Sequence, residues 1–176
     1  SYNRILMQRN KLLKELYFKP EYEETLDIWD MQLVQYGREI IKYREEFIGQ
    51  LNEIVKLIHL KLSGEKEHLK IVYDPNISID RFEDSLRKNR NQDMRQKTTL
   101  IGPHRDDIGF YVDEVDIRKF GSQGQQRTAA LSIKLAEIEL VKILVKDYPI
   151  LLLDDVLSEL DSHRQNHLLS TIDQIQ

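Results

Sequence analysis

Cysteine is absent from the 176 residues, which excludes a disulfide scaffold and any thiolate metal site. Long apolar runs are also missing. The longest, Pro149 to Leu153, falls far short of the roughly 20 residues a helix needs to cross a bilayer, so no membrane contact is expected. Charge of one sign is not in excess, because 26 Lys and Arg face 30 Asp and Glu for a formal net charge of −4. Nucleic acid would therefore have to be met by a local basic patch rather than by the overall field of the molecule. The first residues, Ser1 to Arg9, begin without an initiator Met and lack the charged start, apolar centre and small-residue cleavage site of a signal peptide. The chain reads as a fragment, and its lack of cysteine is compatible with a cytoplasmic protein. What is present, 40% hydrophobic and 8% aromatic residues, is enough for a folded core and excludes a disordered acidic tail.

Two styles of sequence join near residue 97. The first is predicted mostly helical. Ile5, Leu6, Arg9, Leu12, Leu13, Leu16 and Tyr17 recur every three or four residues, and Pro20 marks the exit. A second helix is expected from an N-cap at Thr25 to Ser63-Gly64, with Ile28, Met31, Val34, Ile41, Phe47, Ile48, Leu51, Val55, Ile58 and Leu62 in helical phase. A helix of that span would be about 55 Å long, the dimension of an arm. Leu69 to Tyr73 alternates like a short strand, ended by Asp74-Pro75-Asn76. A third helix is expected from Asp80, with Glu83 completing a capping box, to Lys97. It carries the densest basic cluster, including Arg87, Lys88 and Arg90, which reads either as a solvated face pairing with Asp84 and Asp93 or as a DNA contact.

The second style alternates strand and helix. Thr98 to Ile101 and Ile108 to Val112 are expected as strands around the loop Gly102-Pro103-His104-Arg105-Asp106-Asp107, Gln125 to Lys146 as a long helix, Ile150 to Leu153 as a buried strand, and Ser162 to Ile172 as a last helix. A continuous apolar strand between helices suits a sheet covered on both faces, so the fold class is α/β.

Three features carry chemistry. The strand Ile150 to Leu153 ends in Asp154-Asp155, delivering two carboxylates to the edge where open α/β sheets bind ligands, although an acid pair can also simply cap a helix. Ser122-Gln123-Gly124-Gln125 opens the long helix: Ser122 can cap it, Gln125 completes a capping box, and Gly124 leaves the amides approachable. Such a start is either a phosphate site or an ordinary capped helix. Ser158-Glu159-Leu160-Asp161 follows the acid pair as a turn. Their order is more informative than any one of them.

In that order, Ser122 to Gln125 resembles the signature motif of ABC-type ATPases, Ile150 to Asp155 resembles Walker B with its adjacent catalytic acid, and Ser158 to Asp161 resembles the D-loop. The strings Gly102 to Asp107, Gly121 to Leu131 and Leu152 to Asp161, with Gln8 to Lys14 and Trp29 to Leu33 in the helical part, resemble the RecF family of recombination-mediator ATPases over nearly the whole chain. The resemblance implies a helical arm, or lid, over residues 1–97 and the C-terminal portion of an ATPase head over 98–176. It implies that Asp154 helps hold Mg²⁺, that Asp155 polarises the attacking water, and that Ser122, Gln123, Gly124 and Gln125 reach ATP bound by a partner subunit. Ser158 and Asp161 would lie at the dimer seam. The implied protein closes as an ATP-dependent homodimer, binds DNA at gaps or single-strand–duplex junctions, and supports recombinase loading and the SOS response with RecR and RecO. Arg87, Lys88, Arg90, His104 and Arg105 are candidates for the DNA or nucleotide face.

No G-x-x-x-x-G-K-[ST] phosphate loop occurs in the sequence, so the chain alone is not expected to hydrolyse ATP. Two other classes stay open. A metal-dependent nuclease would use Asp154, Asp155, Asp106 and Asp107 as ligands, and a non-enzymatic adaptor would use the helical part to dock a partner.

Overall fold

The computed structural model describes residues 1–16 and 18–146. The expected strand Ile150 to Leu153, the helix Ser162 to Ile172, and the site residues Asp154, Asp155, Ser158 and Asp161 lie outside the described residues. In chain order the helices are α1 (Tyr2–Glu15), α2 (Leu26–Leu62), α3 (Phe82–Lys88), α4 (Arg90–Gln96), α5 (Ile117–Phe120) and α6 (Gln123–Val145). The strands are β1 (Leu69–Asp74), β2 (Asp107–Val112) and β3 (Val115–Asp116), arranged β1-β2-β3 in one sheet. Helix dominates, with a small sheet, within the expected α/β class.

Contacts divide the chain into two compact units, each made from two stretches: Ser1–Glu46 with Tyr73–Ile108, and Phe47–Val72 with Gly109–Gln176. Residue 97, where the style of sequence changes, falls inside the first unit.

In the first unit, α1 turns Tyr2, Ile5, Arg9 and Leu13 inward, the three-to-four spacing of one helix face. Tyr2 and Ile5 join Leu33, Val34, Ile41, Phe82 and Leu86 in one apolar cluster, against which Trp29 and Ile101 pack. Leu13, Leu16 and Leu26 form a second cluster, with Met94 against it. Burying a Leu or Phe contributes roughly 1.5–3 kcal/mol, so Phe82 and Leu86, neither of which is exposed, anchor α3 to this core.

Arg9 crosses the unit as a buried cation. Its Nε donates to Asp30 Oδ1 at 2.6 Å, and its Nη1 donates to Asp93 Oδ2 at 2.7 Å and to Thr99 Oγ1 at 2.8 Å. Those partners lie on α2, on α4 and just beyond α4.

Several local expectations are corrected here. Thr25 lies in a 3-10 helix, Pro20–Thr25, and its hydroxyl donates back to the Tyr22 carbonyl at 2.6 Å. The helix expected from Asp80 to Lys97 is instead a 3-10 turn, Ile79–Arg81, followed by α3 and α4 meeting at Asn89. Ser78, not Asp80, is the N-cap of that turn, and it makes no side-chain cap bond. Thr98 to Ile101 is not a strand. Its backbone is held by side chains: the Thr99 amide donates to Asn10 Oδ1 at 2.8 Å, and the Leu100 amide to Asp93 Oδ1 at 3.1 Å.

In the second unit, the later turns of α2 bury Ile48, Leu51, Val55, Ile58 and Leu62, again three or four apart. Asn52 on this part of α2 accepts from the Ile71 amide of β1 at 2.8 Å. The helix stops where Gly64, at φ 68°, takes the left-handed conformation that favours glycine. The Gly64 amide donates to the Lys61 carbonyl at 3.1 Å and the Glu65 amide to the Leu60 carbonyl at 2.8 Å, the paired bonds of a Schellman stop. β2 and β3 pair antiparallel, Tyr111 opposite Asp116 and Val112 opposite Val115. The connecting residues Asp113 and Glu114 both have positive φ, 47° and 68°, which matches the twist a two-residue hairpin loop requires.

Helix α6 buries Thr128, Ala129, Leu131, Ser132, Leu135, Ala136 and Leu140. The two hydroxyls are satisfied within the helix. Thr128 Oγ1 donates to the Gly124 carbonyl at 2.8 Å and Ser132 Oγ to the Thr128 carbonyl at 2.7 Å. No helix of the described residues is long and apolar enough to cross a membrane.

Candidate functional site

The N-terminus of α6 forms as its sequence predicts. Ser122 is the N-cap, with extended backbone at φ −63° and ψ 157°. Its Oγ accepts from the Gln125 amide at 3.2 Å, and the Gln125 Oε1 accepts from the Ser122 amide at 3.0 Å. The Gln126 amide closes the first turn onto the Ser122 carbonyl at 3.0 Å. Helix geometry leaves the first amides without intrahelical acceptors. Among the described residues, those of Gln123 and Gly124 have no other acceptor. Ser122 and Gln123 are exposed, and α6 runs for 23 residues behind them. Two unclaimed amides at the positive end of a long helix can hold a phosphate oxygen, provided the ligand approaches from solvent.

The short helix α5 fixes the approach to that end. The Asp116 carboxylate caps it by accepting from the Arg118 amide at 3.0 Å, and the Gln126 side chain donates to the Ile117 carbonyl at 2.8 Å. The Gln125 Nε2 donates to Glu67 Oε1 at 3.1 Å, joining the same helix end to the turn after α2.

In the first unit, the loop Gly102 to Asp107 is tied down almost residue by residue. Gly102 adopts φ 136°, and a Cβ there would lie 2.5 Å from the Tyr2 hydroxyl. His104 Nδ1 lies 2.8 Å from the Tyr2 hydroxyl and its Nε2 lies 3.0 Å from the Thr99 carbonyl. A carbonyl only accepts, so Nε2 carries the proton and Nδ1 accepts from Tyr2. Burial pushes the His104 pKa below its ordinary value, with the Arg105 charge acting the same way, although the bond to Thr99 opposes both. The imidazole is thus a neutral bridge with both nitrogens in use. Arg105 Nη2 donates to the same Thr99 carbonyl at 3.4 Å, while the residue stays exposed.

Asp106 is the anchor of that loop. Its carboxylate accepts from Arg44 Nη1 at 2.8 Å, from the Asn76 amide at 2.9 Å and from the Tyr73 hydroxyl. Burial raises the Tyr73 pKa, as do the hydrogen bond to Asp106 and that residue's charge. With its oxygens committed and its side chain 3% exposed, Asp106 is not placed to bind a metal, contrary to the nuclease expectation. No group of three or more potential metal-binding side chains occurs among the described residues.

The basic cluster separates into different roles. Arg90 pairs inward, its Nε with Asp30 at 2.7 Å and its Nη2 with Asp27 at 2.5 Å. That hydrogen bond and the Arg90 charge hold the Asp27 carboxyl below its usual pKa. Arg87 is exposed and pairs with Glu83 one turn back at 3.2 Å. Lys88 is exposed.

A mostly helical chain with a three-stranded sheet matches the structure of an ABC-type ATPase. Among solved structures, that of "the recombination mediator protein RecF-ATP in RecFOR pathway" superposes with a TM-score of 0.89 at 34% identity, over 99% of this chain and 49% of that one. Its counterpart with ATPrS gives 0.88 at 34% identity. The DNA replication and repair protein RecF of Lachnospira eligens is 55% identical over all of this chain and 49% of its own length. That of Lachnoclostridium phytofermentans is 53% identical over 100% and 49%, and that of Bacillus cereus strain AH820 is 47% identical over 97% and 48%. No protein-family model matches the chain. The chain belongs to the RecF family. It spans about half the length of the curated relatives it matches.

Proposed function

We propose that this chain supplies the arm and the signature-bearing part of an ATP-dependent DNA-repair protein, with residues 1–97 as the arm and 98–176 as part of the head. The observation that carries the reading is the start of α6, where an exposed N-cap serine stands beside two amides with no acceptor among the described residues. That donor set fits a phosphate. When bound, ATP supplies the γ-phosphoryl group that is transferred to water. The Gln123 and Gly124 amides and the Ser122 hydroxyl would donate to its oxygens across a pair of subunits, closing the homodimer. Asp154 and Asp155 offer adjacent hard carboxylate oxygens, the chemistry Mg²⁺ prefers: Asp154 would help hold the ion and Asp155 would orient the attacking water. Ser158 and Asp161 would belong to the seam between the two subunits. The phosphate loop comes from the rest of the protein, so this chain alone turns over no ATP.

In this reading the closed dimer binds DNA at single-strand gaps or junctions in the cytoplasm and works with RecR and RecO in recombinase loading and the SOS response. Of the five basic candidates, Lys88, Arg87 and Arg105 are the exposed ones, whereas Arg90 and His104 act by holding the fold. The test is ATP-dependent dimerisation of the full-length protein, followed by analytical ultracentrifugation. Ser122→Arg places a bulky cation where the phosphate would sit and is expected to abolish the ATP-induced dimer. Normal ATP-dependent dimerisation by that variant refutes the reading.

A further inference from the structure

The start of α6 is held from outside by two groups on the last turns of α2 and the turn after it. Glu67 Oε1 accepts from Gln125 Nε2 at 3.1 Å. Two turns further along α6, His59 Nδ1 lies 2.9 Å from Ser132 Oγ. The Ser132 hydroxyl spends its proton on the Thr128 carbonyl, so it accepts from His59. His59 Nε2 lies 3.5 Å from Glu67 Oε2 with no hydrogen bond between the two atoms. His59 is fully buried.

Glu67 is itself placed by the stop of α2. The left-handed Gly64 turns the chain back, and the Glu67 amide donates to Ser63 Oγ at 3.2 Å. The two tie points on α6, Gln125 and Ser132, lie about 10 Å apart along the helix. Two points on one rod fix its tilt as well as its position. Gln125 is also the residue whose Oε1 holds the Ser122 amide, so one side chain links the cap of α6 to Glu67.

From this geometry we infer that Glu67 is a positioning residue for the signature turn, holding the Ser122 cap and the Gln123 and Gly124 amides in the orientation that meets a phosphate in the partner subunit. The inference rests on the reading of Ser122 across a dimer. Sites of this kind work only when their donors are held within about 0.5 Å of the productive geometry, and a helix end capped only by its own residues is free to tilt.

The test uses the full-length protein. Gln125→Glu keeps the capping box, since a Glu there also accepts from the Ser122 amide, but it sets one carboxylate against another at Glu67. The concentration for half-maximal ATP-dependent dimerisation is expected to rise about tenfold, the loss of one hydrogen bond to a charged group. Combining Glu67→Gln with Gln125→Glu restores the hydrogen bond with its direction reversed and is expected to bring dimerisation back to within about threefold of wild type. Wild-type dimerisation by Gln125→Glu overturns the inference, as does failure of the double change to recover while its melting temperature is normal. Ser122→Arg, run alongside, separates the two ideas. If it abolishes the ATP-dependent dimer while Gln125→Glu has no effect, only the positioning inference falls. If it dimerises normally, the trans-signature reading falls with it.

Discussion

Arg9 and Asp93, 84 positions apart in sequence, lie 2.7 Å apart from Nη1 to Oδ2, with neither side chain exposed to solvent. Arg9 also holds Asp30 and Thr99. Removing one member of a buried ion network leaves its partners charged and dry, which costs roughly 3–5 kcal/mol. Arg9→Ala is therefore expected to lower unfolding free energy by about that much in urea titration, without moving the cap of α6. Arg9→Lys keeps the charge but loses the fork that reaches two carboxylates, so it should fall between wild type and Ala. A loss below about 1 kcal/mol for Arg9→Ala would contradict the network's weight.

Gly102 and Tyr2 are coupled sterically. Gly102→Ala is expected to cost about 1–3 kcal/mol from backbone strain alone, and more from the new Cβ pressing on the Tyr2 hydroxyl. Tyr2→Phe costs about 1 kcal/mol by taking the donor from His104, yet it also removes the atom the new Cβ would strike. The double variant should be less destabilised than the sum of the singles, and a strictly additive cycle would refute the contact.

Stability should fall on mild acidification through His104. Its pKa is held below the ordinary value of 6.5 by burial and by the Arg105 charge. The unfolded chain therefore takes up this proton first as pH falls, and the folded state loses stability below about pH 6.5, with no effect well above it. Denaturation of wild type and His104→Gln between about pH 7 and pH 5 should show the variant lacking this component of the slope. Parallel profiles would remove His104 as the cause.

Charge reversal should separate the basic cluster into two kinds of residue. Arg90→Glu sets a third carboxylate against Asp27 and Asp30 and is expected to lower the melting temperature by several degrees. Lys88→Glu should fold normally. If Lys88 touches DNA phosphates in the full-length protein, the same variant weakens binding across sequences and lowers the salt slope by about 1. An unchanged slope would clear Lys88 of that role.

Elements whose bounds depend on their own residues were legible in the sequence. The long helix was expected to stop at Ser63-Gly64 and does so through Gly64, and the Ser122–Gln125 capping box is present as read. Where distant side chains decide, local reading failed. Thr98 to Ile101 was expected as a strand, yet Asn10 and Asp93 take its amides and His104 takes the Thr99 carbonyl. The helix from Asp80 breaks at Asn89, whose side chain donates to Asp93 Oδ1 at 2.9 Å while Arg90 turns to Asp27 and Asp30. In the candidate site, Ser122 and Gln125 were found from the motif, but Glu67 was not. It stands 58 positions from Gln125, with no spacing that marks it.

The two stretches of the first unit are separated by Phe47–Val72, and this has a consequence during synthesis. When synthesis has passed residue 46 but not residue 73, Arg9 has Asp30 within reach but neither Asp93 nor Thr99. Phe82 and Leu86, which complete the apolar cluster, are also still unmade. A buried arginine cannot desolvate with its partners missing, so α1 must wait, hydrated, until synthesis has passed Thr99. Domains usually fold in the order they leave the ribosome. Here α1 depends on residues made much later, and its buried cation keeps it from settling into its core early.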